Sequence, residues 1–263
     1  MSVALQEALR ARGFDPGPLD GKVGPRTKRA TKDFQRANRL LVDGIAGPRT
    51  LAALGLTGAA RLDRAAFAKF APDALPNTYE ALAAAIKKYP ALGEAVVLDD
   101  FLGQCWVESL GFSRLAENLN YSAEALKKNF GRHRISLAEA DRYGRTATQK
   151  ADQRAIANTI YGGEWGKVNL GNIHPTDGWD NRGSGFIQNT GRRNITATGF
   201  TAEQLRTDVF AAADAAAQFF ISHGCVLPAR NGAISQVTKR INGGNSHLVE
   251  RSQKTAEARA VIR

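Results

Sequence analysis

An internal repeat near the N-terminus constrains the fold of this 263-residue chain more than any other feature. The segment LDGKVGPRTKRA at 19–30 returns 23 residues later as VDGIAGPRTLAA at 42–53. In each copy the Asp-Gly pair predicts a tight turn, and the proline of the Gly-Pro pair is typical of the first position of a helix. The repeat therefore predicts two turn–helix units, with helices that begin at Pro25 and Pro48.

The residues around the repeat predict the rest of a small helical domain. Leu5 and Leu9 lie on one face of a short amphipathic segment that ends at Gly13. Between the two copies, apolar residues recur at helical spacing and predict an amphipathic helix over about residues 25–40, packed against the first helix. Residues 1–56 are thus predicted to form a compact three-helix domain.

The remainder of the chain is predicted to form a second, larger domain. The segment TGAAR at 57–61 is typical of a junction, and Ala-rich helical patterns dominate residues 62–263, where strand signals are few and short. The chain is 43% hydrophobic and 23% charged, an ordinary globular composition. Its apolar runs are far shorter than the roughly 18 residues that a membrane span needs. We therefore predict a mainly α protein without a membrane span.

The net charge of +11 suggests an acidic partner, although the charge is equally explained as a solubilising surface. Nucleic acid, an anionic membrane surface and a bacterial wall polymer are the candidate partners. Lysines and arginines are spread along the chain without a dense basic block, so nucleic acid is disfavoured. The four histidines are scattered and no metal-ligand spacing occurs, so we expect neither a metal nor a cofactor.

Cysteine content and the N-terminus bear on where the protein is made. Two cysteines, Cys105 and Cys225, are too few for a disulfide framework, and we expect buried free thiols, with a single bridge left open. The N-terminal residues show neither the basic nor the apolar region of a secretion signal. Synthesis in a reducing cytoplasm is therefore expected.

Two carboxylates flank a Leu-Gly-Phe break in the sequence QCWVESLGFSRLAENLNYS at 104–122. On a helix over 98–112, Glu108 would lie in the middle of an apolar stripe, where partial desolvation favours the protonated form that a general acid needs. That stripe consists of Leu98, Phe101, Cys105 and Phe112. The alternative is a buried glutamate that an arginine or a backbone donor satisfies.

The second carboxylate, Glu117, favours the catalytic interpretation. On an unbroken helix it would lie about 13 Å along the axis and on the opposite face from Glu108. Gly111 permits the helix to end near Phe112 and the chain to turn back, so that the two acids face each other across a cleft. Carboxyl groups about 6.5–9.5 Å apart leave room for a water molecule, as in inverting glycosidases.

Two glycine-rich and asparagine-rich segments are further candidates for the site. In NRGSGFIQNTGRRN at 181–194, a short extended piece over Phe186–Thr190 would project Gln188 and Thr190 to the same side, where they can hold a sugar hydroxyl and a water. The segment VTKRINGGNSH at 237–247 has a similar composition. Both are also compatible with ordinary turns.

These motifs resemble two known families. The doubled DGxxGPRT pattern with DFQRANRL between the copies resembles the small three-helix peptidoglycan-binding module of cell-wall enzymes. The pieces VESLGF, ENLNYSAEAL, DRYGR, AIANTIYGGEWG, RGSGFIQNTGRRN and INGG, in this order, resemble family 19 glycoside hydrolases, specifically their bacteriophage endolysin branch. The second resemblance covers roughly residues 62–263.

The family resemblance implies a role for each matching residue. Glu108 would be the general acid, Glu117 the general base and Thr190 the residue that positions the attacking water. Sugar contacts are implied for four residues: Arg182, Gln188, Asn194 and Asn242. Three positions depart from the family pattern: Val107 stands in place of His, Ser184 in place of Arg and Asn189 in place of Leu.

The implied fold is a small wall-binding domain (1–56), a linker (57–61) and a larger lysozyme-like or chitinase-like helical domain with a catalytic cleft (62–263). The implied function is hydrolysis of the β-1,4 glycan of peptidoglycan by a monomeric endolysin. This enzyme would accumulate in the host cytoplasm and act on the wall after release. The alternatives are a chitinase, a lytic transglycosylase that uses Glu108 alone, and a wall-binding protein without activity.

Overall fold

The computed structural model describes residues 2–56 and 60–262, and this part of the chain is mainly helical, which confirms the predicted fold class. Within it, β-structure is limited to isolated bridges. The predicted linker lies partly outside the described residues, since 57–59 are not among them. The predicted boundaries at 56 and 62 stay predictions.

The first eight α-helices are α1 Ser2–Ala11, α2 Pro25–Ala37, α3 Pro48–Ala53, α4 Arg64–Phe70, α5 Thr78–Lys88, α6 Ala95–Glu108, α7 Ala123–Asn129 and α8 Leu137–Tyr143. They are followed by α9 Gln153–Ile160, α10 Gly163–Leu170, α11 Asp177–Asp180, α12 Arg192–Ala197, α13 Ala202–Thr207, α14 Val209–Ser222, α15 Val226–Arg230, α16 Ile234–Asn242 and α17 Leu248–Ala258. Two short 3₁₀ turns cover Pro90–Gly93 and Arg259–Val261. No described helix is both long and apolar enough to cross a membrane.

Helices α1, α2 and α3 share a hydrophobic cluster of their own, whose buried residues are Leu5, Ala8, Leu9, Ala30, Phe34 and Leu54. Helices α2 and α3 begin at Pro25 and Pro48, the positions that the repeat predicts. Helix α2 ends at Ala37, with Asn38 as its C-cap, and is therefore slightly shorter than predicted.

A buried glutamine supports each copy of the repeat in the same way. The side chains of Gln6 and Gln35 are 1% and 2% exposed, and each reaches from the preceding helix into the Asp-Gly turn. Each Nε2 lies within hydrogen-bond distance of the turn aspartate, a backbone carbonyl two residues later and the threonine of the next helix. These acceptors are Asp20, Lys22 and Thr27 for Gln6, and Asp43, Ile45 and Thr50 for Gln35. The repeat thus encodes one local structure twice.

Helix α6 lies at the centre of the larger core. Every residue from Val97 to Cys105 is buried, and α17, α14 and the 3₁₀ turn at Pro90–Gly93 pack around it. The apolar part of this core includes Leu98, Phe101, Phe112, Phe186 and Phe220. Cys105 and Cys225 are both buried and free, as expected.

Helix α17 approaches α6 very closely at Gly103. A Cβ atom on Gly103 would lie 2.5 Å from Oγ1 and 2.6 Å from the backbone nitrogen of Thr255, closer than real Cβ contacts. Glycine at this position therefore sets the distance between the two helices. Because α17 lies this close, its polar side chains reach those on α6.

Candidate active site

The chain reverses direction directly after Glu108. Helix α6 ends at this residue and not near Phe112, so the predicted helix was too long. Leu110, Gly111 and Phe112 have φ angles of 48°, 71° and 60°, three consecutive residues in the left-handed region. Phe112 is fully buried all the same, since the turn carries it into the core. This reversal brings the segment that contains Glu117 back towards the end of α6.

A cleft of about 490 Å³ lies at this reversal. Its polar and charged lining side chains are Glu108, Arg114, Glu117, Asn118, Tyr121, Gln188, Thr190, Asn242, Ser246, His247, Glu250 and Arg251. The structure therefore brings together five of the seven predicted site residues. Three lining residues, Leu110, Gln188 and His247, have positive φ angles without being glycine. Backbone strain of this kind is commonly concentrated at functional sites.

Glu108 is paired with an arginine from the last helix. Arg251 Nη2 donates to Glu108 Oε1 at 2.6 Å, and Arg251 Nη1 donates to Gln104 Oε1 at 2.7 Å. Gln104 Nε2 in turn donates to Thr238 Oγ1 on α16 at 3.2 Å. The Arg251 side chain is 2% exposed and that of Glu108 is 20% exposed. Charge-assisted hydrogen bonds of this kind fix the orientation of a carboxylate.

The neighbours of Glu108 on α6 differ from the predicted apolar stripe. Asp100, Gln104 and Glu108, spaced four residues apart, form a polar row on the face of α6 that packs against α17. Glu108 is the last residue of this row. Its carboxyl group is therefore not isolated among apolar side chains but anchored through Oε1. No described residue donates a hydrogen bond to the other oxygen, Oε2.

Glu117 is held by two donors from other parts of the chain. Tyr161 Oη donates to Oε1 at 2.7 Å, and the Gly183 N–H donates to Oε2 at 3.0 Å. Burial, followed by the adjacent Glu117 carboxylate, raises the pKa of the Tyr161 hydroxyl well above its ordinary value, so this group stays protonated and donates. Each carboxylate oxygen keeps a lone pair for a further donor.

Glycine at position 183 leaves room for the close approach of Glu117 and Gln188. A Cβ atom there would lie 2.7 Å from Gln188 Oε1 and 3.1 Å from Glu117 Oε2. The backbone of Glu117 also donates to the Gly183 carbonyl at 2.9 Å. The glycine-rich segment therefore lies directly against the second acid.

The segment 184–189 forms a tight turn and not the predicted extended piece. Ser184 and Asn189 pair through their backbones, and Gln188 has a φ angle of 53°. Gln188 and Thr190 nevertheless both line the cleft, while Ile187 and Asn189 are buried. Thr190 Oγ1 donates to the Gln188 carbonyl at 3.0 Å, so its own lone pairs face any further donor.

The remaining predicted contact residues differ in position. Asn242 is the last residue of α16, before the left-handed Gly243, and it lines the cleft. Asn194 Nδ2 donates to the Thr190 carbonyl at 2.9 Å, and Arg182 lies over the Trp179 ring at 3.8 Å. Neither of these two side chains is part of the cleft lining. Their contact with sugar stays a prediction.

Two site residues, Arg251 and Tyr161, are absent from the sequence-based prediction. The signal for Arg251 was the spacing of Asp100, Gln104 and Glu108, which marks a polar row that needs partners from another helix. Tyr161 lies in the AIANTIYGGEWG motif, and nothing in its local pattern indicates that it contacts Glu117.

Asn189, close behind this site, is predicted to destabilise the fold. It is 2% exposed, and neither Oδ1 nor Nδ2 has a hydrogen-bond partner among the described residues. A buried polar group without a partner costs about 1–3 kcal/mol, so Asn189→Leu should raise the free energy of unfolding by about that amount. Urea denaturation measures this, with the exposed Asn118→Leu as matched control. A less stable Asn189→Leu protein would contradict the prediction.

Comparisons with known proteins agree with this architecture. A family model described as a putative peptidoglycan binding domain matches residues 2–54. A glycosyl hydrolase family 19 domain-containing protein of Haemophilus influenzae is 34% identical over 190 residues, which cover 70% of this chain and 89% of that protein. The crystal structure of a chitinase C mutant aligns with a TM-score of 0.50 at 15% identity, covering 76% of this chain and 91% of that one. This last likeness concerns the fold alone.

The identity and coverage of the relative establish the family of the larger part of the chain. The helical fold agrees with that of the chitinase, and the predicted wall-binding architecture at the N-terminus is confirmed by the family match. The chain belongs to glycosyl hydrolase family 19: it is a glycoside hydrolase that carries an N-terminal domain of the peptidoglycan-binding type.

Proposed function

We propose that this protein is a bacteriophage endolysin that hydrolyses the β-1,4 glycosidic bonds of bacterial peptidoglycan by a two-carboxylate, inverting mechanism. The observation that carries the proposal is the presence of Glu108 and Glu117 in one cleft, on either side of a chain reversal. The N-terminal domain favours peptidoglycan over chitin as the substrate. In this proposal the enzyme accumulates in the host cytoplasm and lyses the cell once it reaches the wall.

In the proposed mechanism Glu108 protonates the oxygen of the leaving sugar. Arg251 occupies Oε1, which leaves Oε2 as the atom that delivers the proton. General acid catalysis of this kind typically contributes about 10²–10⁴-fold to the rate. Arg251 then also stabilises the carboxylate that remains after proton transfer.

Glu117 and Thr190 prepare the water that attacks the sugar from the other face. Glu117 is fixed by Tyr161 and Gly183, so it can accept a proton from water without changing its position. Thr190 Oγ1 gives its own proton to the Gln188 carbonyl and therefore accepts the second hydrogen of that water. The two acceptors orient the oxygen lone pair towards the anomeric carbon.

The contacts of Glu117 favour a hydrolase over a lytic transglycosylase, which needs one acid and no activated water. A purely structural glutamate would be expected to pair with a cation such as Lys127. Lys127 instead pairs with Glu124 and Asp141, and Glu117 forms no ion pair within the described part of the chain. Its carboxylate therefore remains available to water.

Product analysis tests the proposal. Fresh digests of peptidoglycan should contain a reducing end that appears first as the α-anomer in proton NMR, because water attacks the face opposite to the leaving group. Mass spectrometry of the same digest identifies the new reducing sugar and hence the bond that is cut. Products with 1,6-anhydro sugars would assign the protein to the transglycosylases, and release of fragments from chitin alone would assign it to the chitinases.

A further inference from the structure

Arg114 lines the cleft, and its side chain forms no ion pair with any residue in the described part of the chain. Its Nε is fully buried and has no hydrogen-bond partner among residues 2–56 and 60–262. Arg114 lines the same cleft as Glu117, the proposed base, and Tyr121.

The other charged groups of the cleft already have partners. Arg251 is paired with Glu108 at 2.6 Å, and His247 lies 3.4 Å from Glu250. Glu117 accepts hydrogen bonds from Tyr161 and Gly183 and forms no ion pair with Arg114 in the described chain. None of these residues therefore neutralises the positive charge of Arg114.

The backbone holds Arg114 in a fixed position. Its N–H donates to the Ser109 carbonyl at 3.3 Å, and the carbonyl of the next residue, Leu115, accepts from the Gly185 N–H at 2.7 Å. The segment is thus tied to the turn after α6 on one side and to the glycine-rich turn on the other. The backbone of Arg114 therefore need not become ordered when a ligand binds, which lowers the entropy cost of binding.

We propose that Arg114 binds a carboxylate of the glycan substrate and thereby selects acidic peptidoglycan over neutral polymers of N-acetylglucosamine. A buried N–H without a partner is unfavourable, and the planar guanidinium fork matches a carboxylate with two parallel hydrogen bonds. Chitin-type glycans carry no carboxylate, whereas peptidoglycan carries them next to every second sugar. This inference rests on the proposed function and names the substrate feature that the same cleft recognises.

The carboxylate has two possible sources in peptidoglycan. One is the lactyl group of the muramic acid sugar, which is free where no peptide is attached. The other is the stem peptide, which carries carboxylates of its own. Both present the same chemistry to Arg114, and substrates with and without peptide distinguish them.

The test compares full-length wild type, Arg114→Met and Arg114→Lys on three substrates: intact peptidoglycan, peptide-free muramic acid glycan and neutral N-acetylglucosamine oligomers. Arg114→Met should raise KM for peptidoglycan by a factor that is about tenfold or more larger than its effect on KM for the neutral oligomers. The effect on kcat should be much smaller. Arg114→Lys should recover part of the loss, because it keeps the charge but not the fork. Loss on the peptide-free glycan indicates the free lactyl group, and loss on intact peptidoglycan alone indicates the peptide.

Two controls distinguish a contact with the substrate carboxylate from a general loss of positive charge. Arg145→Met removes the same charge from an exposed position outside the cleft and should match wild type on all substrates. The KM of wild type should be higher for peptidoglycan whose carboxylates have been blocked as amides than for untreated peptidoglycan, as the KM of Arg114→Met is on the untreated polymer. An equal loss of kcat on acidic and neutral substrates would overturn the inference, since Arg114 would then act on Glu117. Wild type that cleaves only the neutral oligomers would instead overturn the proposed function.

Discussion

Replacement of Glu108 by glutamine should lower the rate of glycan cleavage by about 10²–10⁴-fold while the protein still folds. The amide oxygen of the introduced glutamine can still accept the hydrogen bond from Arg251, so the contact with α17 is retained. The amide cannot deliver a proton to the leaving sugar, so the chemical step loses its acid. Binding of the polymer should change little, because the shape of the cleft is preserved.

Turbidity loss of wall suspensions and reducing-sugar release measure this effect. Glu124→Gln is the matched control, since Glu124 is an exposed glutamate on α7 whose side chain is 84% exposed. Circular dichroism of Glu108→Gln should match that of wild type. Activity of the folded variant within about tenfold of wild type would be incompatible with Glu108 as the acid.

Arg251→Met should destabilise the fold by about 3–5 kcal/mol, the range observed when one partner of a buried ion pair is removed. Arg251 is almost fully buried and donates to Gln104, Glu108 and the Ser246 carbonyl. Methionine retains part of the packing of the side chain but leaves the Glu108 carboxylate and the Gln104 carbonyl without their donor. Activity should fall as well, because Glu108 loses its anchor.

A double-mutant cycle separates the pair from general packing damage. In urea denaturation, Glu108→Gln should cost less in the Arg251→Met background than in wild type, since the amide carries no charge that needs the missing arginine. Arg64→Met is the matched control, because Arg64 pairs with Glu80 in the larger part of the chain and both side chains are exposed, by 65% and 41%. Strictly additive effects of the two substitutions would show that Glu108 and Arg251 do not interact.

The local parts of the structure could be predicted from the sequence. The Gly-Pro pairs predict the starts of α2 and α3 correctly. The fixed φ angle and missing N–H of proline act locally, at the first position of a helix, and do not depend on distant residues. The break around Gly111 predicted the reversal that brings Glu108 and Glu117 to one cleft. Its exact start was missed, since Leu110 and Phe112 adopt left-handed angles that their residue types do not indicate.

The parts that depend on distant residues could not be predicted. Tyr161 lies 44 residues from Glu117, and nothing in the local pattern around either residue marks the hydrogen bond between them. The extended piece predicted for 186–190 is a tight turn, because the backbone pairing of Ser184 with Asn189 overrides the local pattern. Gln188 and Thr190 still line the cleft. The tight turn places them there, and not the alternation of side chains along a strand.

The contact between α6 and α17 also has a consequence for the order of folding. Its polar pairs join residues far apart in sequence: 143 positions for Glu108 and Arg251, and 155 for Asp100 and Thr255. Contacts of such separation form only after a large loop has been closed, and the entropy of that closure must be overcome before the contacts stabilise anything. The acid of the cleft therefore acquires its anchor only when α17 docks. A chain that has folded everything before α17 holds both carboxylates but not yet the arrangement that the proposed hydrolysis needs.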